Sequence, residues 1–136
     1  MSTVSDIKDQ LKIILGAVSG INQAFDYLPR YIDQDNTVGI FWEGATFEPA
    51  EIDAHWAHYR FTIETAMYMW DELNLQEDQE TLALLEVAAL RAKPSLNSTC
   101  LKHTIENLQN DFVKNANGNV YGRIQITLVA DVEEEV

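Results

Sequence analysis

The spacing of apolar residues changes along this chain, and each spacing predicts a different element. Near the N-terminus, aliphatic residues recur every three or four positions, which places them on one side of a helix. They are Ile7, Leu11, Ile14, Leu15 and Val18. Thr3 and Asp6 precede them with the spacing of a capping box. The pattern predicts a first helix over residues 4–19.

Two apolar segments in the middle of the chain are typical of strands. TVGIFW, residues 37–42, is a short apolar run rich in β-forming residues. In HYRFTIETAMYM, residues 58–69, apolar and polar side chains alternate. Alternation with period two predicts a strand with one face in the core and the other toward solvent or a neighbour.

A second helix is predicted over residues 78–92. The segment QETLALLEVAALRAK consists mostly of strong helix formers and carries leucines and alanines at helical spacing. Arg91 and Lys93 lie in its last turn, where positive charge complements the helix dipole, and Pro94 ends it.

The last third of the chain contains one clear strand and one ambiguous segment. In the final strand Gly122, Ile124, Ile126, Leu128 and Ala130 form the core face. Within residues 98–114 the apolar positions have helical spacing, yet Asn117-Gly118 is a hairpin signal that requires a strand just upstream. We favour a strand over 103–114, with a helix as the alternative.

Together these elements predict a single α+β domain with the order α-β-β-α-β-β. Strands grouped in hairpins between helices favour a mainly antiparallel four-stranded sheet packed against two helices. The length of 136 residues fits one domain that needs no disulfides. Residues 20–36 are interpreted as a long connection that packs down through its aromatic side chains.

Charge narrows the possible partners. The chain has 22 acidic and 9 basic residues and a net charge of -13, which disfavours binding to phosphate backbones and to anionic membranes. Cys100 is the only cysteine, so no intrachain disulfide is expected. We find no signal peptide and no apolar run of about 20 residues, and we expect a cytoplasmic setting.

No residue pattern predicts catalysis, a metal or a cofactor. His55 and His58 flank Trp56 and follow Asp53, but on a strand the two histidines point to opposite faces. Cys100 and His103 are separated in the same way, and a nucleophile needs its base within hydrogen-bond reach. We interpret Arg60 and Glu64 as a surface charge pair, and the glycines form no phosphate-binding loop.

The layout resembles a known family. It combines IKDQLKIILGAV, the turn-rich FDYLPRYID, the strand HYRFTIETAMYM, the helix ETLALLEVAALRAK and the closing strand YGRIQITLVADVEEE. This order is similar to the small tail terminator (tail completion, tail-to-head joining) proteins of long-tailed bacteriophages. The resemblance covers residues 5–132, requires the strand at 103–114, and includes no catalytic motif.

The resemblance implies a virion protein assembled in the host cytoplasm. Copies would form a hexameric ring at the head-proximal end of the tail tube, end tube polymerisation and dock the head connector. DNA would pass through the ring without specific binding, and no cofactor or membrane would be involved.

Two groups of residues are predicted to serve such a ring. Aromatic and charged side chains suited to the subunit or tube interface are Tyr27, Arg30, Trp42, Arg60 and Glu64. Acids expected to face the channel and repel DNA are Asp33, Asp35, Glu48, Glu51, Asp53, Glu133, Glu134 and Glu135. The simpler interpretation of the last three is a solvated terminus that keeps the final strand soluble.

Other functions remain open at this point. The first alternative is a head-closure or neck protein of the same particle. Another is a small cytoplasmic enzyme or metal-binding domain that uses His55 and His58. The last is an acidic adaptor or DNA mimic, which the net charge alone suggests.

Overall fold

The fold consists of two helices and five strands. A computed structural model describes residues 3–29, 35–48, 54–68, 72–114 and 120–135. Its elements, in chain order, are α1 (Thr3–Gly16), β1 (Gln23–Phe25), β2 (Thr37–Phe47), β3 (Ala54–Tyr68), α2 (Glu72–Arg91), β4 (Lys102–Lys114) and β5 (Val120–Glu135).

The strands form one mixed sheet in the order β1-β2-β3-β5-β4. β1 pairs with β2 in parallel, and the other three pairs are antiparallel. The predicted four-stranded antiparallel sheet is therefore wrong. The extra strand, Gln23–Phe25, lies inside the segment interpreted as a connection. Three residues are too short to show a period-two pattern, and only pairing with β2 defines them as a strand.

Both helices pack on one side of the sheet, which we call the helix face. Buried side chains on this face alternate along β3 and β5, from Ala57 to Met67 and from Ile124 to Val132. The helices add Ile7, Leu11 and Leu15 from α1 and Leu82, Val87 and Leu90 from α2. The core face predicted for the last strand is confirmed, since Ile124, Ile126, Leu128 and Ala130 are fully buried.

The structure also shows what the ambiguous segment forms, and it gives several elements different bounds from those predicted. β4 is a strand that pairs with β5 from Lys102 to Lys114, so the helical alternative is wrong. β2 continues to Phe47, beyond the strand predicted over residues 37–42, because a bulge between Trp42 and Gly44 lets pairing with β3 resume. Neither α1 nor α2, the two helices in the described ranges, is long and apolar enough to cross a membrane.

Candidate interaction surfaces

The second side of the sheet, which we call the open face, is covered by neither helix. Its side chains from β5 are Tyr121, Arg123, Gln125, Thr127, Val129 and Asp131, and all are partly exposed. β3 contributes His58, Arg60, Thr62 and Glu64 to the same face. Alternation therefore gives the sheet one apolar side for the helices and one polar side for solvent or a partner.

Ion pairs across strands link the charged side chains of the open face. The Arg60 guanidinium lies 2.5 Å from Glu106 on β4, reaching across β5. Arg123 donates two hydrogen bonds to Asp111, at 2.9 and 2.6 Å. Bidentate arginine–carboxylate pairs are among the stronger hydrogen-bonded ion pairs in proteins. These contacts link β3, β5 and β4 and pair both arginines of the open face.

Glu64 lies on the open face but is not the partner of Arg60. Burial raises the pKa of this carboxyl, and the nearby Arg123 acts in the opposite direction. The charge pair expected between Arg60 and Glu64 is replaced by the bridge from Arg60 to Glu106. The reason is topological, because the order β3-β5-β4 brings a distant acid within reach of Arg60.

His58 is held between two carboxylates at the end of the open face. Its Nδ1 lies 2.5 Å from Asp131 Oδ1 on β5, and its Nε2 lies 2.9 Å from Glu48 Oε1, just after β2. The hydrogen bond with Asp131, then that with Glu48, raises the pKa of the imidazole. The ring thereby connects β3, β5 and the segment after β2, and both of its nitrogens are occupied.

The structure also describes the surroundings of the residues that were considered as metal ligands or as a nucleophile. Trp56 is half-buried, and the side chain of His55 lies outside the described set. Burial raises the pKa of the Cys100 thiol to about 11, so it stays protonated at neutral pH. His103 bonds the carbonyl of Pro94 rather than the thiol. Within the described residues, no three His, Cys, Asp or Glu side chains converge as metal ligands would.

One open depression of about 270 Å³ lies on the open face. The β2 bulge, residues 43–46, forms one wall, and His58, Arg60 and Val129 form the rest. His58 is already paired with Glu48 and Asp131, and Arg60 is paired with Glu106.

The five predicted interface residues do not form one surface. Arg60 and Glu64 share the open face, whereas Trp42 lies on the helix face, with its ring 6.2 Å from that of Tyr59. Tyr27 is exposed and packs on Phe25 at 5.2 Å. Arg30 is outside the described residues.

The predicted channel acids are likewise divided between the two ends of the sheet. Asp35 precedes β2, where its carboxylate accepts a bond from the amide of Asn36. Glu48 and Glu133 lie at the opposite end, both beside Trp56. Glu134 and Glu135 pair with β3 through their backbones, but their side chains lie outside the described set. Asp33, Glu51 and Asp53 are also outside it.

Sequence reasoning missed two features. Glu86 is a fully buried acid on α2, and it looked like an ordinary polar position of a helix. The outer edge of β4 carries exposed Leu108 and Phe112. Their helical spacing concealed the strand, and only the hairpin signal at Asn117-Gly118 indicated it.

Comparisons with known proteins add little. No family model matches the chain. No curated protein matches it either. A chain in a solved structure of the virion of a native gene transfer agent (GTA) particle is 13% identical, with a TM-score of 0.47. The match covers 96% of this chain and 94% of that chain. At this identity and TM-score, the likeness identifies neither a family nor a role for this protein.

Proposed function

We propose that this protein is a structural subunit of a phage virion, namely the terminator that caps the tail tube. In this role, copies of the chain form a hexameric ring that ends tube polymerisation and docks the head connector. The proposal has its origin in the sequence resemblance. The strand at Lys102–Lys114, which the resemblance requires, supports it.

One structural observation carries the proposal beyond the resemblance. On the open face, Arg60, Arg123 and His58 are each engaged by a carboxylate of another strand or of the segment after β2. Catalysis needs a free acid, base or nucleophile at a site that substrate can reach. A polar sheet face whose Arg60, Arg123 and His58 are already paired is instead suited to bind other proteins, here copies of the chain, the tube protein and the connector.

The decisive experiment is deletion of the gene from a phage genome that encodes the protein. Without a terminator, we expect tubes of irregular length and capsids with no tails, as measured by negative-stain electron microscopy. The wild-type gene supplied in trans should restore both tube length and joining. Tubes of uniform length already joined to capsids would contradict the proposal.

The same experiment separates the terminator from a neck protein. A head-closure protein acts on the capsid side, so its loss would leave tubes of normal length that fail to join. Light scattering of the purified chain, alone and with tail tube protein, provides a second readout. We expect a hexamer, or a shift to a hexamer when tube protein is added.

A further inference from the structure

We propose that His58 is a proton-dependent latch on the end of β2. When the imidazole loses one proton, it keeps its hydrogen bond to Asp131 and releases Glu48, so the end of β2 is held at acidic pH and free at alkaline pH. The device lies within one chain, so it goes beyond the proposed function and does not depend on it.

His58 lies between two carboxylates that both need a proton from its ring. Its Nδ1 lies 2.5 Å from Asp131 Oδ1, and its Nε2 lies 2.9 Å from Glu48 Oε1. A carboxylate oxygen accepts hydrogen bonds and does not donate them. Both contacts therefore require an N–H group, and only the protonated imidazolium carries two. The arrangement in the structure is that of the charged ring.

The neutral ring cannot make the same two contacts. It has one N–H group and one nitrogen lone pair, so it donates to only one of the two acids. Its other nitrogen would face a carboxylate oxygen at hydrogen-bonding distance with no proton between them, which is repulsive. One of the two acids must therefore move away from the ring when the proton is lost.

The positions of the two acids decide which one leaves. Asp131 lies directly opposite His58 in the pairing of β3 with β5, and its side chain is only 14% exposed. It also lies opposite Lys102 of β4, a positive residue that remains beside it. Glu48 follows the last residue of β2, and its side chain is 58% exposed, so it can turn into water. The neutral ring therefore keeps its proton on Nδ1, and Glu48 is released.

The other charged groups around the ring do not take over its role. Arg60, the next open-face residue of β3, is already paired with an acid of β4. Glu43 of β2 lines the same depression as His58, and Glu133 of β5 lies beside it, but neither can hold another acid. Among the described residues, the ion pair with His58 is the only one that Glu48 makes. The proton on His58 is therefore what ties the Glu48 side chain to the sheet.

The proton leaves the ring in the neutral to alkaline range. The hydrogen bond with Asp131, then that with Glu48, raises the pKa of the imidazole above its ordinary value of 6.5, and burial opposes them in part. Because the pKa is raised, the imidazolium persists at pH 6.5, and the latch opens only as the pH rises above this value.

The latch holds the last part of β2. The Glu48 amide donates a hydrogen bond to the Trp56 carbonyl at 2.9 Å, one residue beyond the pair of Phe47 with Ala57. Strand ends open more readily than strand centres, because fewer contacts hold them, and Phe47 is itself 64% exposed. Release of the Glu48 side chain should therefore loosen Phe47 and Glu48. A partner at this end of the sheet would meet different surfaces above and below the pKa of His58.

Nuclear magnetic resonance of the full-length chain, labelled with 15N, tests both parts of the proposal between pH 5.5 and 9.5. Correlation of ring carbon protons with ring nitrogens identifies which nitrogen carries the proton. We expect both nitrogens of His58 to be protonated at the acidic end and only Nδ1 at the alkaline end. The exchange protection of the Glu48 amide, corrected for the intrinsic effect of pH, should fall at least tenfold over this range. Amides in the centre of β3 and β5 should keep their protection.

Glu48→Gln is the variant that isolates the latch. An amide side chain can accept a hydrogen bond from the imidazolium and can also donate one to the lone pair of the neutral ring. The protection of the residue 48 amide should therefore become independent of pH. Glu106→Gln is the matched control, because the Glu106 carboxylate bonds Arg60 rather than His58, and it should keep the wild-type pH dependence.

Any of three results would overturn the proposal. The first is a neutral His58 that carries its proton on Nε2, because Asp131 would then be the acid that leaves. The second is equal protection of the Glu48 amide at both ends of the pH range in the wild type. The third is protection that still falls with pH in Glu48→Gln. The wild-type measurements alone are decisive if circular dichroism shows that a variant does not fold.

Discussion

Glu86 is a polar residue in an apolar setting. It is fully buried on α2, and one carboxylate oxygen accepts a hydrogen bond from the Thr65 hydroxyl at 2.6 Å. The other oxygen, Oε2, has no partner among the described residues. Burial raises the pKa of this carboxyl to about 7, and the bond from Thr65 offsets only part of that effect. The core thus favours the protonated acid.

Glu86→Gln should stabilise the protein above neutral pH. Because the pKa is higher in the folded state, the folded state binds more protons between pH 4.5 and about 7, and stability falls as pH rises across that window. The loss amounts to about 3 kcal/mol. Urea unfolding at pH 8 should show the variant to be more stable than wild type, with little difference at pH 5. Equal stabilities at pH 8 would contradict this.

His58→Gln should remove a different pH dependence. The raised pKa of the imidazole means that its bonds to Asp131 and Glu48 stabilise the fold fully below the unfolded pKa of 6.5. That contribution is lost as pH rises through the higher folded value. The variant should therefore be less stable than wild type near pH 6, and the difference should shrink at alkaline pH. His103→Gln is the control, because the His103 ring hydrogen-bonds the Pro94 carbonyl and makes no hydrogen bond with a carboxylate among the described groups.

At the scale of the element, β2 depends on a close approach of the backbone. A Cβ at Gly39 would lie 2.9 Å from the Tyr27 carbonyl oxygen and 3.1 Å from Pro29 Cδ. The segment after β1 can cross β2 here only because the residue has no side chain. This crossing packs residues 27–29 of the predicted connection against β2.

Gly39→Ala should destabilise the protein by about 1–3 kcal/mol, because backbone atoms would have to move. Gly16→Ala is the matched control. There the new Cβ would meet Ala24 at an ordinary 3.5 Å, at the end of α1. Thermal unfolding should show a lower midpoint for the first variant and an unchanged or higher one for the second. Equal midpoints would mean that the segment after β1 can move away from the new Cβ without a loss of stability.

At the scale of the whole molecule, the prediction concerns where charge lies in the assembly. If the protein forms the proposed ring, the acids that line the channel should let DNA slide without binding. We expect Asp35, Glu48 or Glu133 to face the lumen in a ring structure determined by cryo-electron microscopy. Asp35 lies at one end of the sheet, and Glu48 and Glu133 lie at the other end. One end of the sheet can therefore face the lumen while the other does not. All three acids on the outer wall would refute the prediction.

The sequence alone determined the elements with long, regular patterns. Alternation along β3 and β5 and the composition of α2 identified those elements, because a buried side of a strand or helix imposes its own period on the residues. The core row from Ile124 to Ala130 could be read directly for the same reason. The net charge of -13 likewise needed no structure to argue against binding to nucleic acid.

Only the tertiary structure decided features that depend on which strands become neighbours. β1 is defined by its parallel pairing with β2, and three residues cannot show that pairing in advance. The exchange of Glu64 for Glu106 as the partner of Arg60 follows from β5 lying between β3 and β4. The open edge of β4 and the buried Glu86 have the same origin. Local spacing records which side of an element is buried, whereas contacts between distant segments are fixed only when the sheet and helices pack.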